Sequence, residues 1–388
     1  MKKIMITIIL FSAIFFNTSV INAQLNIDLN SKSGVMIEAS TKKILYEKEA
    51  HEKMSPASMT KMMTLLLVME AIDDGRLSLD KEIIVSENAV SMGGSQVYLE
   101  TNAKFTVKEL LKAVCISSAN DASVALAEAV GGTVENFVAM MNKKVSDLGL
   151  KNTNFKNPHG LDEANHYSSS YDMAIIASEL VKHEEILEFS STYEDNFIHP
   201  NGKSIWLVNT NSLLRYYDGV DGLKTGYTDT AGYCLTATKE VNNMRIITVT
   251  MNSETKEERN KDAVNMMEYA FSNYNIKVLL DKNKSLGKIF VDKSENKYVD
   301  YYLKNDIKLL LTNDIRDLEY DYEINVNENL TAPINNGETI GKIEIKYNGQ
   351  VLKYDLIVNE DIKKSSYFLL MWNYLKDIVS GNINFIKN

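Results

Sequence analysis

The segment Pro56-Ala57-Ser58-Met59-Thr60-Lys61-Met62-Met63-Thr64 decides how the rest of this chain is interpreted. It begins a run to Ile72 that is apolar on nearly every side, which predicts a helix buried in a core. The spacing of three puts the amine of Lys61 beside the hydroxyl of Ser58. The alternative is a helix N-cap serine followed by a solvated lysine. That alternative fits poorly, because a lysine so near the start of an apolar helix must lie close to buried surface.

A buried Ser–Lys pair indicates nucleophilic catalysis. A serine hydroxyl is a poor nucleophile at neutral pH, and a lysine can act as its base only if burial or a neighbouring cation lowers the pKa of the lysine. Two further motifs follow in order, Ser118-Ala119-Asn120 and Lys224-Thr225-Gly226. Each motif alone is weakly specific. Lys224 is the candidate for the neighbouring cation.

The backbone around these motifs offers candidate donors for an oxyanion. At the N-terminus of the predicted helix, the N–H of Ser58 points outward and can help to stabilise a tetrahedral intermediate. The second donor would be the backbone N–H of Tyr227, on the strand that carries Lys224. Because Gly226 has no side chain, a substrate can approach the edge of that strand.

Strand patterns flank a helical middle of the chain. The strand patterns comprise a hairpin at 34–37 and 43–46, then runs at 222–224, 234–239 and 244–250. Helical patterns cover residues 58–72, 107–114, 121–130, 134–148, 171–183 and 257–271. Helices enclosed by an early hairpin and late strands predict an α/β domain whose sheet joins both ends of the domain.

The composition changes after Asn275. Short alternating segments there, separated by Asn, Asp, Lys and Gly, predict a small all-β, sandwich-like domain. The last segment is apolar again but too short to span a bilayer. The expected organisation is a leader at 1–23, a catalytic domain at 24–275, a β domain at 276–361 and a tail at 362–388.

Charge and composition exclude several functions. The 42 basic and 52 acidic side chains give a formal net charge of −10, which argues against overall attraction to nucleic acid. Cys115 and Cys234 are far apart and lie in apolar surroundings, so buried free thiols are expected. The five histidines form no metal-binding spacing, and neither a metal nor another cofactor is expected.

The N-terminus predicts export. Lys2 and Lys3 precede an apolar run from Ile4 to Phe16, and Ala23 is the small residue that a signal peptidase needs. The alternative is an N-terminal membrane helix, but the run is shorter than the roughly 20 apolar residues needed to cross a bilayer. Cleavage after Ala23 is therefore predicted.

The three motifs in this order are the set found in penicillin-binding proteins and class A β-lactamases. The surrounding sequence resembles the low-molecular-weight penicillin-binding D-alanyl-D-alanine carboxypeptidases from about Asn26 to Asn275, and the β-rich segment resembles their C-terminal domain. The resemblance implies the α/β penicillin-binding transpeptidase and β-lactamase fold with a helical subdomain. The segments that carry it are 56–64, 117–122, 157–162 and 221–228.

The resemblance also implies roles for individual residues. Ser58 would be the acylated nucleophile and Lys61 its base, Ser118 would relay a proton to the leaving amine, and Asn120 would bind the substrate amide and Lys61. Lys224 would maintain the electrostatics, and Thr225 and Arg259 would bind the terminal carboxylate of D-alanine, with Gly226 and Tyr227 completing the substrate site.

For Arg259, the alternative is a surface arginine paired with a glutamate. Two positions, Ala119 and Tyr227, depart from the commonest family pattern. His159 lies in a turn-like segment and is expected to be structural.

The implied reaction is removal of the last D-alanine from a peptidoglycan stem peptide through an acyl-enzyme, with β-lactams acylating the same serine. One alternative is a β-lactamase, although the stretch from Lys151 to Asp162 lacks the added glutamate of class A enzymes. Another is a catalytically silent scaffold that binds peptidoglycan.

The C-terminal tail predicts association with a membrane surface. Phe368, Met371, Trp372 and Leu375 recur at helical spacing, which predicts an amphipathic interfacial helix. The alternative is a helix that packs on the β domain or on another chain. The expected location is therefore peripheral, at the outer face of the cytoplasmic membrane or in the cell wall.

Overall fold

The structure, a computed structural model, describes residues 27–315, 318–368 and 371–372. The predicted leader at 1–23 and the part of the predicted amphipathic helix beyond Trp372 lie outside the described residues. In the described part of the tail, the side chains of Tyr367, Phe368, Met371 and Trp372 are exposed.

The N-terminal part of the chain is built around one antiparallel sheet of five strands. Its order is β2-β1-β9-β8-β7, so the first hairpin pairs with the late strands and the sheet joins both ends of the domain, as predicted. The strands of this part are β1 (Ser33–Glu38), β2 (Ile44–Lys48), β3 (Glu82–Ile84), β4 (Lys104–Thr106), β5 (Glu194–Ile198), β6 (Ser204–Val208), β7 (Val220–Thr228), β8 (Gly232–Val241) and β9 (Met244–Ser253).

Helices cover both faces of this sheet. The strands alternate, so that Val35 and Ile37 of β1 enter the core with the middle helices, whereas Met36 packs towards the last helix. The helices are α1 (Lys61–Asp73), α2 (Glu87–Val90), α3 (Val107–Ser117), α4 (Asn120–Gly131), α5 (Val134–Asp147), α6 (Ser170–Leu180), α7 (Glu184–Ser191), α8 (Leu213–Tyr216) and α9 (Lys256–Asn273).

Helix α1 lies in the middle of the helical layer, and ten of its thirteen residues are buried. This burial agrees with the apolar pattern of the sequence. The α-helix begins at Lys61, however, and Ser58 lies in a preceding 3-10 turn, Ala57–Thr60. Among the described residues, no single helix is long and apolar enough to cross a membrane. In the part of the chain that the structure describes, one bent pair, α4 and α5 at 82°, meets the length and composition of a membrane span.

The C-terminal part is all β. A five-stranded sheet in the order β11-β12-β16-β15-β14 encloses its own apolar core, and β10 and β13 form a two-stranded ribbon. Leu310 of β13 also packs on the core beneath α9, which connects the two parts of the chain. The strands are β10 (Tyr274–Leu280), β11 (Gly287–Phe290), β12 (Tyr298–Leu303), β13 (Ile307–Thr312), β14 (Asp321–Val326), β15 (Thr339–Tyr347) and β16 (Gln350–Ile357).

Candidate active site

The 3-10 turn places Ser58 directly above Lys61. Side chains three residues apart eclipse one another in this geometry, and Ser58 Oγ lies 2.9 Å from Lys61 Nζ. Gly160, whose φ is +89°, packs against the Ala57 carbonyl of this turn. A Cβ at Gly160 would lie 1.9 Å from the carbonyl oxygen of Ala57, so only glycine fits there.

Lys61 is fully buried, and its amine has three partners. Besides Ser58 Oγ, Nζ donates to Asn120 Oδ1 at 2.7 Å and to the carbonyl oxygen of His159 at 2.6 Å. Both of these oxygens can only accept hydrogen bonds. When Lys61 is neutral, its two remaining N–H bonds serve these acceptors, and its lone pair therefore faces the hydroxyl of Ser58. The amine is oriented as a base for this serine.

The electrostatics favour the neutral form of Lys61. Burial first, and then the positive charge of Lys224, lower the pKa of Lys61 well below its usual range, while Asp121 acts in the opposite direction. Lys224 is itself buried in β7 and donates to the carbonyl of Thr225 at 3.1 Å. Burial lowers the pKa of Lys224 to about 8, and the charge of Arg259 contributes in the same direction.

Ser118 and Asn120 occupy the junction between α3 and α4. Ser118 ends α3 in the left-handed region, with φ of +64°, and its Oγ is buried without a hydrogen-bond partner among the described residues. Asn120 begins α4 and its Nδ2 donates to the carbonyl of Gly93 at 2.6 Å. This bond fixes the amide so that Oδ1, not the NH2 group, faces Lys61.

Strand β7 passes very close to the turn that carries Ser58. A Cβ at Gly226 would lie 2.8 Å from the carbonyl oxygen of Pro56 and 3.2 Å from the nitrogen of Ser58. Glycine is therefore required by the contact with the turn itself, a reason that the sequence did not indicate. The contact places the backbone of Gly226, the residue before Tyr227, next to the amide nitrogen of Ser58. The Tyr227 side chain is exposed and packs against Tyr233, with 4.5 Å between ring centroids and 33° between the ring planes.

Thr225 of β7 and Arg259 of α9 both lie beside β8, since Thr225 pairs with Leu235 and Arg259 contacts Cys234. Thr225 Oγ1 donates to Thr210 Oγ1 at 2.7 Å. Sequence reasoning missed Thr210, since no local pattern marks a threonine in a polar loop. Arg259 is 3 % exposed, and its guanidinium donates to the carbonyl of Cys234 at 3.3 Å and to Asn260 Oδ1. It is therefore not a surface arginine, and burial lowers its pKa to about 10.

Three further titratable side chains near the site, His159, Cys115 and Cys234, are buried. Burial and the charge of Lys61 lower the pKa of His159 to about 3, and its Nδ1 accepts from the N–H of Leu161. Cys115 and Cys234 are buried and free. Within the described ranges, no group of three or more His, Cys, Asp or Glu side chains has a geometry that could hold a metal ion.

Comparisons with known families match both parts of the chain. The family described as D-alanyl-D-alanine carboxypeptidase matches residues 18–255, and the family described as penicillin-binding protein 5, C-terminal domain, matches residues 274–364. The curated D-alanyl-D-alanine carboxypeptidase DacF of Bacillus subtilis (strain 168) is 45% identical over 350 residues, which are 89% of this chain and 90% of the relative.

Solved structures are similar over the same regions. Penicillin binding protein 5 from Haemophilus influenzae superimposes with a TM-score of 0.68 at 32% identity, covering 87% of this chain and 98% of that one. Penicillin-binding protein D2 from Listeria monocytogenes, in its ampicillin-bound form, gives 0.57 at 32% identity and covers 64% and 100%. The catalytic and C-terminal parts of the chain thus match the same group of enzymes, and the chain belongs to the low-molecular-weight penicillin-binding D-alanyl-D-alanine carboxypeptidases, a family of serine hydrolases.

Proposed function

We propose that Ser58 is the nucleophile with which this carboxypeptidase removes the terminal D-alanine from peptidoglycan stem peptides. The observation that carries the proposal is the orientation of Lys61, whose two acceptor-only partners leave its lone pair facing Ser58. Neutral Lys61 takes the proton of Ser58 as Oγ attacks the carbonyl carbon of the penultimate D-alanine. The backbone N–H groups of Ser58 and Tyr227 stabilise the oxyanion that forms.

Collapse of the tetrahedral intermediate breaks the bond to the leaving amine. That nitrogen needs a proton, and Ser118 relays it from Lys61. The buried, unpartnered Oγ of Ser118 supports this role, because a hydroxyl without a fixed partner is free to donate to one group and accept from another. Water then attacks the ester at Ser58 and gives a proton to Lys61, which returns it to Ser58 Oγ as the bond between Oγ and the acyl carbon breaks. This completes hydrolysis and restores the free enzyme.

The terminal carboxylate of the substrate binds on the side of Thr225 and Arg259. Arg259 is buried, and its hydrogen bonds go to neutral oxygens of Cys234 and Asn260 rather than to a carboxylate. A buried guanidinium with no carboxylate bonded to it attracts an anionic ligand strongly. This arrangement supports selectivity for peptides with a free C-terminus.

Covalent labelling with penicillin tests the catalytic proposal. The mature protein should gain one penicilloyl group by intact mass, the Ser58→Ala variant should gain none, and the Lys61→Ala variant should react far more slowly. The matched control is Ser55→Ala, three residues before the nucleophile, which should be labelled like the wild type. A covalent adduct on the Ser58→Ala variant would show that the nucleophile is another residue.

We further infer that residues 24–275 form the catalytic domain, that 276–361 form the β domain, and that the chain is exported after loss of residues 1–23. In this proposal, the segment from 362 attaches the enzyme to the outer face of the cytoplasmic membrane. The exposure of Phe368, Met371 and Trp372 supports this attachment.

Vesicle sedimentation tests the attachment. A chain that ends near Asp361 should retain soluble activity but stay in the supernatant with anionic and zwitterionic vesicles, whereas the full mature chain should sediment. If both chains stayed in the supernatant, the helix would not be a membrane anchor.

A further inference from the structure

The hairpin of β5 and β6 contacts the active site at both of its ends. At its base, Thr210 bonds to Thr225 of β7. At its tip, His199 Nε2 lies 2.9 Å from the carbonyl oxygen of Val97, and Asn201 Nδ2 donates to Glu100 Oε1 at 2.8 Å. The hairpin tip therefore holds the loop at residues 93–100, here called the 93–100 loop.

His199 is positioned by packing and serves as a donor. It is 2 % exposed, and its ring meets Phe105 and Phe197 edge-on, with centroid distances of 5.6 and 5.3 Å. Since a carbonyl oxygen can only accept a hydrogen bond, Nε2 carries the proton and donates a hydrogen bond to the carbonyl oxygen of Val97. The Nδ1 atom is buried with no hydrogen-bond partner among the described residues. Burying an unpaired nitrogen costs stability, so packing alone would be better served by phenylalanine. The bond to Val97 is what the imidazole adds.

The 93–100 loop in turn fixes the junction that bears the catalytic amide. The N–H of Val97 donates to the carboxylate of Asp121 at 3.1 Å, and the N–H of Asn120 donates to the carbonyl of Ser95 at 2.7 Å. The side chain of Asn120 is also held by this loop, through the carbonyl of Gly93. These bonds fix the position of Asn120 Oδ1 relative to the amine of Lys61.

We propose that His199 is a positioning residue of the active site. Its N–H to the carbonyl of Val97 fixes the 93–100 loop, and the loop fixes the Asn120 amide that directs the lone pair of Lys61 to Ser58. This inference rests on the proposed roles of Lys61 and Asn120. His199 lies outside the hydrogen-bonded group of Ser58, Lys61 and Asn120, and many residues of chain separate it from each of them.

Two substitutions at one position separate the donor from the packing. His199→Phe keeps an aromatic ring between Phe105 and Phe197 but cannot donate, and it leaves the Val97 carbonyl unpaired. His199→Gln has its amide nitrogen where Nε2 lies and can restore the bond. We expect His199→Phe to lower the second-order rate constant of acylation by penicillin about tenfold or more, because small misplacements of catalytic groups are costly. His199→Gln should lie within about threefold of the wild type, given a hydrogen bond of similar strength.

Thermal melting of the same variants shows whether the loss is local. His199→Phe should melt at or above the wild-type temperature, since it removes a buried unpaired nitrogen. The control Phe137→Leu, in α5, disturbs the same apolar core without touching the bond or the two rings that position His199, so it should melt lower and acylate at the wild-type rate while folded. A folded His199→Phe protein that acylates within twofold of the wild type would overturn the proposal, as would a folded His199→Gln protein as slow as His199→Phe.

If both His199 variants fail to fold, the hairpin tip provides a second measurement. Asn201→Ala removes the exposed bond to Glu100, and Lys203→Ala removes the amine that lies 5.8 Å from the ring of Tyr98. The double variant should melt like the wild type and acylate two- to threefold more slowly, and an unchanged rate would refute the positioning role. Failure of the proposed function is distinguishable, because it would appear as a wild-type protein that penicillin does not label at Ser58.

Discussion

A methyl group added at Gly226 should disable the enzyme by separating β7 from the turn that carries Ser58. The new Cβ of Gly226→Ala would lie 2.8 Å from the carbonyl oxygen of Pro56, and neither atom can move without its backbone segment. Ordinary contacts begin at 3.4 Å, so the two segments must move apart by about 0.6 Å. A hydrogen bond from Tyr227 N–H to the oxyanion would then lengthen from about 2.9 Å to about 3.5 Å, where little of it remains.

Loss of one oxyanion donor costs about 10²- to 10³-fold in rate, so acylation of Gly226→Ala should fall about a hundredfold. The overpacking should also cost about 1–3 kcal/mol in the free energy of unfolding. Stopped-flow acylation by a chromogenic β-lactam measures the first quantity, and denaturant unfolding measures the second. The matched control is Gly341→Ala in β15, whose Cβ would lie 2.5 Å from the carbonyl of Asn325, far from the site. The control should lose stability but keep its acylation rate. A folded Gly226→Ala protein within threefold of the wild type would refute the oxyanion geometry.

Three other substitutions test the electrostatics of the site. The acylation rate should rise with pH as Lys61 loses its proton. Lys224→Gln removes the cation that lowers the pKa of Lys61, so the midpoint of this rise should move to higher pH. An unmoved midpoint would mean that the charge of Lys224 does not affect Lys61. Arg259→Ala should slow cleavage of a peptide ending in D-Ala-D-Ala much more than acylation by the corresponding C-terminal amide, and equal losses would make Arg259 structural. Burial lowers the pKa of His166 to about 4, whereas an unfolded histidine has a pKa of about 6.5. The folded protein therefore binds this proton less readily than the unfolded chain, and the free energy of unfolding should fall by about 3 kcal/mol as the pH falls from 6.5 to 4. His166→Gln should flatten this acid dependence in urea unfolding, and an unchanged slope would assign it to other groups.

The parts of the fold that were predictable are those encoded locally. The apolar run after Ser58 predicts a buried helix because it has no polar face. This inference does not require knowing which residues cover the helix. The sheet that joins the first hairpin to β9 was predicted because strand patterns occur at both ends of a helical segment. The pairing of Lys61 with Ser58 followed from spacing alone, although the turn that carries Ser58 is 3-10 rather than α.

The parts that were missed depend on contacts between segments far apart in the chain. The 3-10 turn packs its Ala57 carbonyl against Gly160, about a hundred residues later in the chain. Thr210 follows the β5–β6 hairpin and lies against Thr225. Six of the ten residues in these two strands are exposed, so the strands carry a weak hydrophobic signal. Long-range packing of this kind leaves no period in the sequence.

The environment of Lys61 also bears on what happens after acylation. In the proposed mechanism, Ser58 Oγ has no proton to give once it carries the acyl group, and the lone pair of Lys61 faces the ester oxygen and the water that approaches it. The hydrogen bonds of Lys61 go to Ser58, Asn120 and the carbonyl of His159, none of which can activate a second water in the way that the added glutamate of class A β-lactamases does. One base must therefore serve both half-reactions. A D-alanyl ester leaves room for water once the last D-alanine has departed, whereas a penicilloyl ester keeps its leaving nitrogen tethered in the site. From these proposed roles we expect rapid turnover of the peptide and a long-lived adduct with penicillin.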